Sequence, residues 1–483
     1  MSGATCDSAE PLLAQGPSAQ VDGESLLARV GTLQSRSWAD AGNLAALAAA
    51  REPALLHGGA IDKWGARQWD WAALASRMGE GAQLSVSESE SHRYAPIDAD
   101  APLRPLLPPS APLATERNWS AAALFGRMAE LEAELAASGA YERSPSSRTR
   151  WRRAHAPGLV HFGDVPPLMR SALEPQDFLY LRATDRSARM QSMWVSSPGV
   201  RTHTHFDSDH NAFVQLIGTK RFLLWPPNQT DHLCPFPRLH PLWHKSRADF
   251  EQPHASCATY ANSTAIGVTV GPGDTLYVPP MWWHTVETLS PSLSLTALSR
   301  YSTNYDVSGA YTLEQHFDKL RHKASRVYAL RAFIGLLAQR ASPGDPSADV
   351  ALAARIRRRY AGLPLAAGGE AAGDAEAAGG AAAKGGDALC VLNSRGTPTC
   401  RNCLAHAQSD ASIVWDEWFV HVDSGERSTL LEDYVEELIE HTVGAELTLP
   451  FLAQCFEGQP FYLTTPGSDE HRALWAEGEA DDD

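Results

Sequence analysis

The sequence predicts a mainly β chain with flanking helices, built around a sandwich or barrel. Three observations carry this expectation. Between Leu159 and Tyr301, short apolar runs alternate with Gly, Pro, Asn and Asp, the texture of strands and turns. On either side the apolar period lengthens to that of helices. Within the central stretch, His205-x-Asp207 is answered far downstream by His284. Residues two apart on a strand share a face, so an imidazole and a carboxylate at that spacing can bind one metal ion. A third ligand from another strand completes a triangular face and leaves the opposite face open, an arrangement that suits non-haem Fe(II).

The chain has 483 residues, enough for two to three domains, with 43% hydrophobic and 20% charged residues. No apolar run reaches the roughly 18 residues of a membrane span. Met1–Gly16 lacks the basic and then apolar pattern of a secretory signal. A net charge of −16 disfavours an extended nucleic-acid surface, although a local basic patch is compatible with it. The seven cysteines are scattered and do not resemble a disulfide framework, so cytoplasm or nucleus is the expected compartment.

Taken in order, residues 1–25 read as a flexible leader. Leu44–Leu56 is Ala-rich and helix-prone, and Asp70–Met78 reads as a short helix. Prolines crowd residues 96–118, where they fix φ and remove donors, so a long loop is expected. Trp119–Ala137 has Leu and Met at helical spacing, and Tyr141–Ala156 is a basic loop. Strands are expected at Phe178–Leu181, Gln191–Val195, Ala212–Ile217, Arg221–Leu224, Ala265–Val270, Thr275–Val278 and Leu293–Leu298. Gly271-Pro272-Gly273-Asp274 marks a turn before the strand that leads to His284. Tyr311–Gln339 returns to helical period; its stripe of Leu320, Val327, Leu330, Phe333, Ile334 and Leu337 serves a partner helix or the chain's own core. Ala366–Gly386 is an Ala/Gly tract that cannot support a core. Beyond it, a helix is expected at Ser428–Thr442. The division is then 26–158, helices and loops; 159–305, the β core; 306–363, C-terminal helices offering a dimer interface; 364–387, a linker; 388–466, a small appended subdomain; and 467–483, an acidic tail.

Lys220 follows His205 by 15 residues on an expected neighbouring strand. A lysine directed into a barrel is costly unless an anion meets it. Thr202 offers a hydroxyl donor nearby, and the two together suit a dicarboxylate beside the metal. His205-Phe206-Asp207, Asn211–Leu216, Gly218-Thr219-Lys220-Arg221, Trp225-Pro226-Pro227, Arg238-Leu239-His240-Pro241, Gly271–Pro279 and Trp282-Trp283-His284 then form a specific set of words. The chain resembles the JmjC family of Fe(II)/2-oxoglutarate-dependent oxygenases. It is most similar to the small hydroxylase branch that holds the hypoxia-inducible-factor asparaginyl hydroxylase and the tRNA wybutosine hydroxylase. The resemblance spans roughly residues 35–340 and is strongest over 177–301.

The resemblance implies a double-stranded β-helix of the cupin, or jelly-roll, type. It implies that His205, Asp207 and His284 bind iron, that Lys220 pairs with the distal carboxylate of 2-oxoglutarate and that Thr202 hydrogen-bonds to it. Tyr180 matches a tyrosine supporting the same carboxylate, or is a core tyrosine; Asn211 matches a polar residue near the cofactor, or is a loop cap. His203 shares the face of His205 and is either a rival ligand or a substrate contact. Where family members often place Asn, the strand after His284 offers only Ser294, Thr296 and Ser299. The implied reaction consumes O2 and 2-oxoglutarate, gives succinate and CO2, and hydroxylates a C–H bond in a side chain of a protein. N-methyl-lysine demethylation and tRNA-base hydroxylation use the same chemistry; the latter would draw on Arg148, Arg150, Arg152 and Arg153. A non-catalytic cupin-like binding module is the alternative outside enzymes. Cys390, Cys400 and Cys403, with His406, are either zinc ligands or free thiols.

Overall fold

The computed structural model describes residues 31–78, 81–107, 114–138, 157–181, 189–248, 256–299, 307–320, 323–365 and 403–456. The expected leader, basic loop, Ala/Gly tract and acidic tail lie outside the described residues, as do the side chains of Cys390, Cys400 and Cys403.

Among the described residues, fifteen strands form two facing sheets. In chain order they are β1 Gly31–Thr32, β2 Ser35–Ser37, β3 Ala54–His57, β4 Gln83–Ser89, β5 Arg93–Tyr94, β6 Thr115–Ser120, β7 Gly158–Asp164 and β8 Arg189–Ser196. There follow β9 Arg201–Thr202, β10 His210–Ile217, β11 Lys220–Trp225, β12 Ile266–Val270, β13 Thr275–Val278, β14 Trp283–Thr288 and β15 Ser292–Ser299. The larger sheet runs β2-β3-β13-β10-β15-β8-β7-β4-β6 and the smaller β1-β12-β11-β14-β9-β5. Consecutive strands β10 and β11 lie in different sheets, so the chain wraps around a barrel as a double-stranded β-helix does.

Strand parity assigns each side chain to the interior or to an outer face. Phe213 stands opposite Leu276 and Thr296, and Phe222 opposite Val268 and Val286. Phe213, Leu276, Phe222, Val268 and Val286 share one interior apolar cluster. The outer face of the larger sheet, with Ala212, Val214, Met193, Val195, Leu293 and Leu295, packs in a second cluster. That cluster also holds Leu47 of helix α1 (Leu44–Ala50), Trp71 and Leu74 of α2 (Trp71–Met78), and Leu124, Phe125 and Met128 of α3 (Ala121–Ser138). Leu223, Trp225 and Trp283, on the outer face of the smaller sheet, join a third cluster with the C-terminal helices. These are α4 Lys323–Ala341, α5 Ala348–Tyr360, α6 Cys403–Glu417, α7 Ser424–Val443 and α8 Ala445–Phe456. The barrel is clad with helices on both outer faces.

Gly218 makes the crossing from β10 to β11 possible. It has φ +75°, and a Cβ there would collide with the Pro291 carbonyl. This turn starts β11 at Lys220 and directs that side chain into the barrel.

Several local expectations are corrected. Leu44–Leu56 is not one helix: α1 ends at Ala50, Arg51 is left-handed (φ 57°), and Ala54–His57 becomes β3 beside β13. Pro53 favours the extended backbone before it. Residues 115–120, expected as loop and helix start, form a strand paired with β4. Phe178–Leu181 is not a strand: Asp177–Leu179 is a 3-10 turn, with Phe178 packed edge-on against Trp38 at 5.2 Å between ring centroids. Tyr311–Gln339 is broken into Ser308–Thr312, a 3-10 turn at His316–Lys319, and α4. A reciprocal cap between Gln315 and Asp318 starts that turn afresh. The stripe of Val327, Leu330, Phe333, Ile334 and Leu337 is buried in the chain's own third cluster, so it does not offer a dimer face. The cysteine expectation also needs correction, because Cys234 and Cys257 form a disulfide. Their separation of 23 residues gives no spacing signal, and the pair removes the cysteine-based argument for a reducing compartment.

Candidate metal centre

His205 follows β9 and faces β14. Its N–H donates to the His284 carbonyl at 2.9 Å, and the His284 N–H donates back to the His205 carbonyl at 2.7 Å. Directly opposed residues place their side chains together, and the two imidazole centroids are 4.3 Å apart. Asp207 lies two residues along from His205. Its Oδ1 is 3.9 Å from His205 Nε2 and its Oδ2 is 3.7 Å from His284 Nε2. One ligand atom from each of the three residues lies within 4.8 Å of the others.

The hydrogen bonds prepare these atoms. His205 Nδ1 is 2.6 Å from the His203 carbonyl, and His284 Nδ1 is 3.0 Å from the Trp282 carbonyl. A carbonyl only accepts, so each Nδ1 carries the proton and each Nε2 presents its lone pair. Burial, reinforced by the neighbouring His284, holds His205 well below the ordinary imidazole range and keeps it neutral. Burial pushes Asp207 upward, but His284, His205 and the Asn211 amide together hold it below the ordinary carboxylate range. Two imidazole nitrogens and a carboxylate on one side fit a divalent transition metal such as Fe(II), with the remaining positions left for other ligands.

Lys220 is 3% exposed on the interior face of β11. Its Nζ is 5.7 Å from the Trp194 ring, 5.4 Å from the Phe213 ring and 3.4 Å from Ser196 Oγ, and no carboxylate pairs with it among the described residues. Burial pushes its ammonium down to about 7. A buried cation without a counter-ion fits the end of a dicarboxylate. Thr202 Oγ1 accepts the Val286 N–H at 2.9 Å and keeps its own hydrogen to donate.

Asn211 lies beside the triad. Its Nδ2 donates to Asp207 Oδ2 at 3.0 Å, so it orients the carboxylate of the triad. Its Oδ1 is buried without a hydrogen-bond partner among the described residues. Tyr180 belongs to the outer apolar cluster with Leu179 and Met193, whereas Lys220 points into the barrel. The core alternative describes it better. His203 is turned away from the triad, with Nε2 at 2.6 Å from the Ser246 carbonyl. On β15, Thr296 Oγ1 accepts the Trp194 indole N–H at 2.8 Å, and Ser294 Oγ donates to Gln215 Oε1 at 2.8 Å. The hydroxyls that stand where Asn was expected therefore tie β15 to Trp194 of β8 and Gln215 of β10.

A model of the cupin-like domain matches residues 43–305, more than half of the chain. The chain belongs to the cupin-like JmjC family. It is similar to JmjC domain-containing protein D of Dictyostelium discoideum, 32% identical over 21% of this chain and 23% of that protein. Jumonji C domain-containing protein 5 of Drosophila melanogaster is 31% identical over 28% of this chain and 34% of its own length. Lysine-specific demethylase JMJ31 of Arabidopsis thaliana is 28% identical over 31% of this chain and 29% of its own length. The chain thus spans a quarter to a third of the length of these curated relatives.

Four residues of this JmjC barrel escaped the sequence reading. Trp194 and Ser196 lie two apart on β8, on the interior face, and that alternation was their only signal. His244 and Lys245 come from a loop with no strand period. Lys245 is buried and bridges to His205, and the His244 ring is 6.3 Å from that of His205. The word Arg238–Pro241 lay just upstream without pointing to them.

Proposed function

We propose that this protein is an Fe(II)- and 2-oxoglutarate-dependent oxygenase that hydroxylates a C–H bond in a side chain of a protein substrate. The observation that carries the proposal is the buried Lys220 ammonium, unpaired with any carboxylate among the described residues, in the same barrel as the His205–Asp207–His284 group. In this reading His205, Asp207 and His284 hold the iron, and Asn211 keeps the carboxylate aligned. Lys220 and Thr202 take the distal carboxylate of 2-oxoglutarate, while Trp194 and Phe213 wall that end from water. The bound iron and co-substrate supply the oxidising chemistry, with succinate and CO2 as co-products. The protein's own work is to fix ligand tautomers, orient the co-substrate and exclude water.

The test is succinate release dependent on added Fe(II) and 2-oxoglutarate, in the presence of peptides from cell extract. Wild type is expected to be active and His205→Ala inactive. Lys220→Met is expected to raise the Kd for 2-oxoglutarate about 100-fold, as loss of a buried charge partner does, with folding retained because an unpaired buried charge has been removed. If iron-supplied wild type binds neither iron nor 2-oxoglutarate, the proposal fails. Demethylation of N-methyl-lysine is the second reading, because JMJ31 and JMJ30 of Arabidopsis thaliana, two relatives, bear the name lysine-specific demethylase. Formaldehyde release in the same assay separates it from stable hydroxylation.

A further inference from the structure

The segment Arg238–Lys245 reaches the metal centre from outside the barrel. Its end is stitched to the ligand segment: Lys245 forms an antiparallel bridge with His205. The Phe206 N–H donates to the His244 carbonyl at 3.1 Å, and the Ser246 N–H to the Thr204 carbonyl at 2.9 Å. Its beginning is gripped by α7. Glu436 Oε1 accepts the Leu239 N–H at 3.0 Å, Asp433 Oδ2 accepts the Trp243 indole N–H at 2.9 Å, and Glu437 pairs with Arg238 at 3.0 Å. The Arg238 guanidinium in turn covers the Trp243 ring at 3.9 Å.

What this segment delivers is a cluster of donors. Lys245 is 5% exposed, and its Nζ lies 2.8 Å from His244 Nε2. An ammonium only donates, so Nε2 is the acceptor and the His244 proton sits on Nδ1. No carboxylate forms an ion pair with Lys245 among the described residues. The nearest acidic influences are Asp207 of the triad and Asp98, whose Oδ1 takes the Asp100 N–H. Among the described residues, two N–H groups of Lys245 and the Nδ1–H of His244 have no hydrogen-bond partner; His205 and Asp207 close by are partly exposed.

We propose that Lys245, with His244 beside it, receives an Asp or Glu carboxylate of the protein substrate at the lip of the metal centre, next to the C–H that is oxidised. The proposal rests on the oxygenase reading and names the chemistry of its substrate. Two donors that form no ion pair with a carboxylate among the described residues favour an anion over a cation. An N-methyl-lysine would bring like charge against Lys245. An RNA phosphate shares the anion chemistry, but a single recessed ammonium in a protein of net charge −16 suits one carboxylate better than a polyanion.

A library of randomised short peptides is panned against the full-length protein, loaded with 2-oxoglutarate and with Zn(II) in place of iron so that nothing turns over. Wild type is expected to enrich Asp or Glu at one fixed position, and the matching Asn or Gln peptide to bind about tenfold more weakly. Lys245→Met is expected to erase that discrimination and Lys245→Arg to retain it. Calorimetry with 2-oxoglutarate on every variant reports that the barrel is folded; should Lys245→Met fail it, Lys245→Gln takes its place. The proposal is overturned if wild type shows no acidic preference, binds only an RNA oligonucleotide, or if the discrimination survives Lys245→Met. Failure of wild type to bind 2-oxoglutarate overturns the oxygenase reading and this proposal together. Intact 2-oxoglutarate binding with a negative peptide result overturns this proposal alone.

Discussion

Lys220 is where the cost of the site is concentrated, since its ammonium is surrounded by Trp194, Phe213 and one hydroxyl. On the proposed oxygenase reading, that environment makes binding of 2-oxoglutarate depend on pH in a defined direction. Burial lowers the ammonium to about 7 in the free protein, and a carboxylate binds the protonated form. Below that value the proton is already in place and affinity should be flat. Above it, each binding event must take up a proton, and affinity should fall by up to about tenfold per pH unit until the pKa of the complex is reached. Calorimetry in buffers of different ionisation heat checks this: proton uptake is expected on the alkaline side and little on the acid side. Much of the centre was legible at this scale. His205 and Asp207 do come to one site, but not as neighbours on a strand face: β9 ends at Thr202, and His205 makes only isolated bridges to His284 and Lys245; Lys220 and His284 stood in words of fixed register. The place of Tyr180 was not legible, because a matching word cannot say which side of a sheet a ring will take; it lies in the outer apolar cluster that also holds Leu179 and Met193.

At the scale of elements, strands with clear alternation formed where the pattern placed them. Phe178–Leu181 failed because four residues of apolar character do not distinguish a strand from a turn whose rings pack on tryptophans. Helix α7 was legible as a helix, but not its buried acidic face. Asp433 is 2% exposed between the guanidinium of Arg359 and the indole of Trp243, and Glu432 takes the other arm of Arg359 at 2.7 Å. Breaking such a buried pair from one side typically costs about 3–5 kcal/mol. Asp433→Ala is therefore expected to lose stability of that order in urea unfolding, and to loosen the Arg238–Lys245 segment it grips. A stability change within the few tenths of a kcal/mol typical of surface substitutions would show that the pair is not formed.

Over the whole molecule, the helices after the Ala/Gly tract do not stand apart from the rest. Val414, Phe419, Tyr434 and Phe451 share an apolar cluster with Trp225 and Trp283 on the outer face of the smaller sheet, and Arg51 pairs with Glu426 at 2.7 Å. A composition break marks where a polypeptide stops packing, but not where packing resumes and against what, so this arrangement could not be read in advance. Unfolding should follow one cooperative transition, with tryptophan fluorescence and far-UV circular dichroism coincident; two separated transitions would contradict a shared core. The backbone pair between His205 and His284 carries a consequence for biogenesis. His205 and Asp207 leave the ribosome well before His284, by roughly 4–16 s at synthesis rates of about 5–20 residues per second. During that interval a nascent polypeptide offers only half a chelator, which any abundant divalent ion can visit and leave. The triangular face first exists when β14 seats itself against the ligand segment. On the proposed reading, which metal this group takes is then settled by what the compartment supplies at barrel closure, more than by the order of intrinsic affinities.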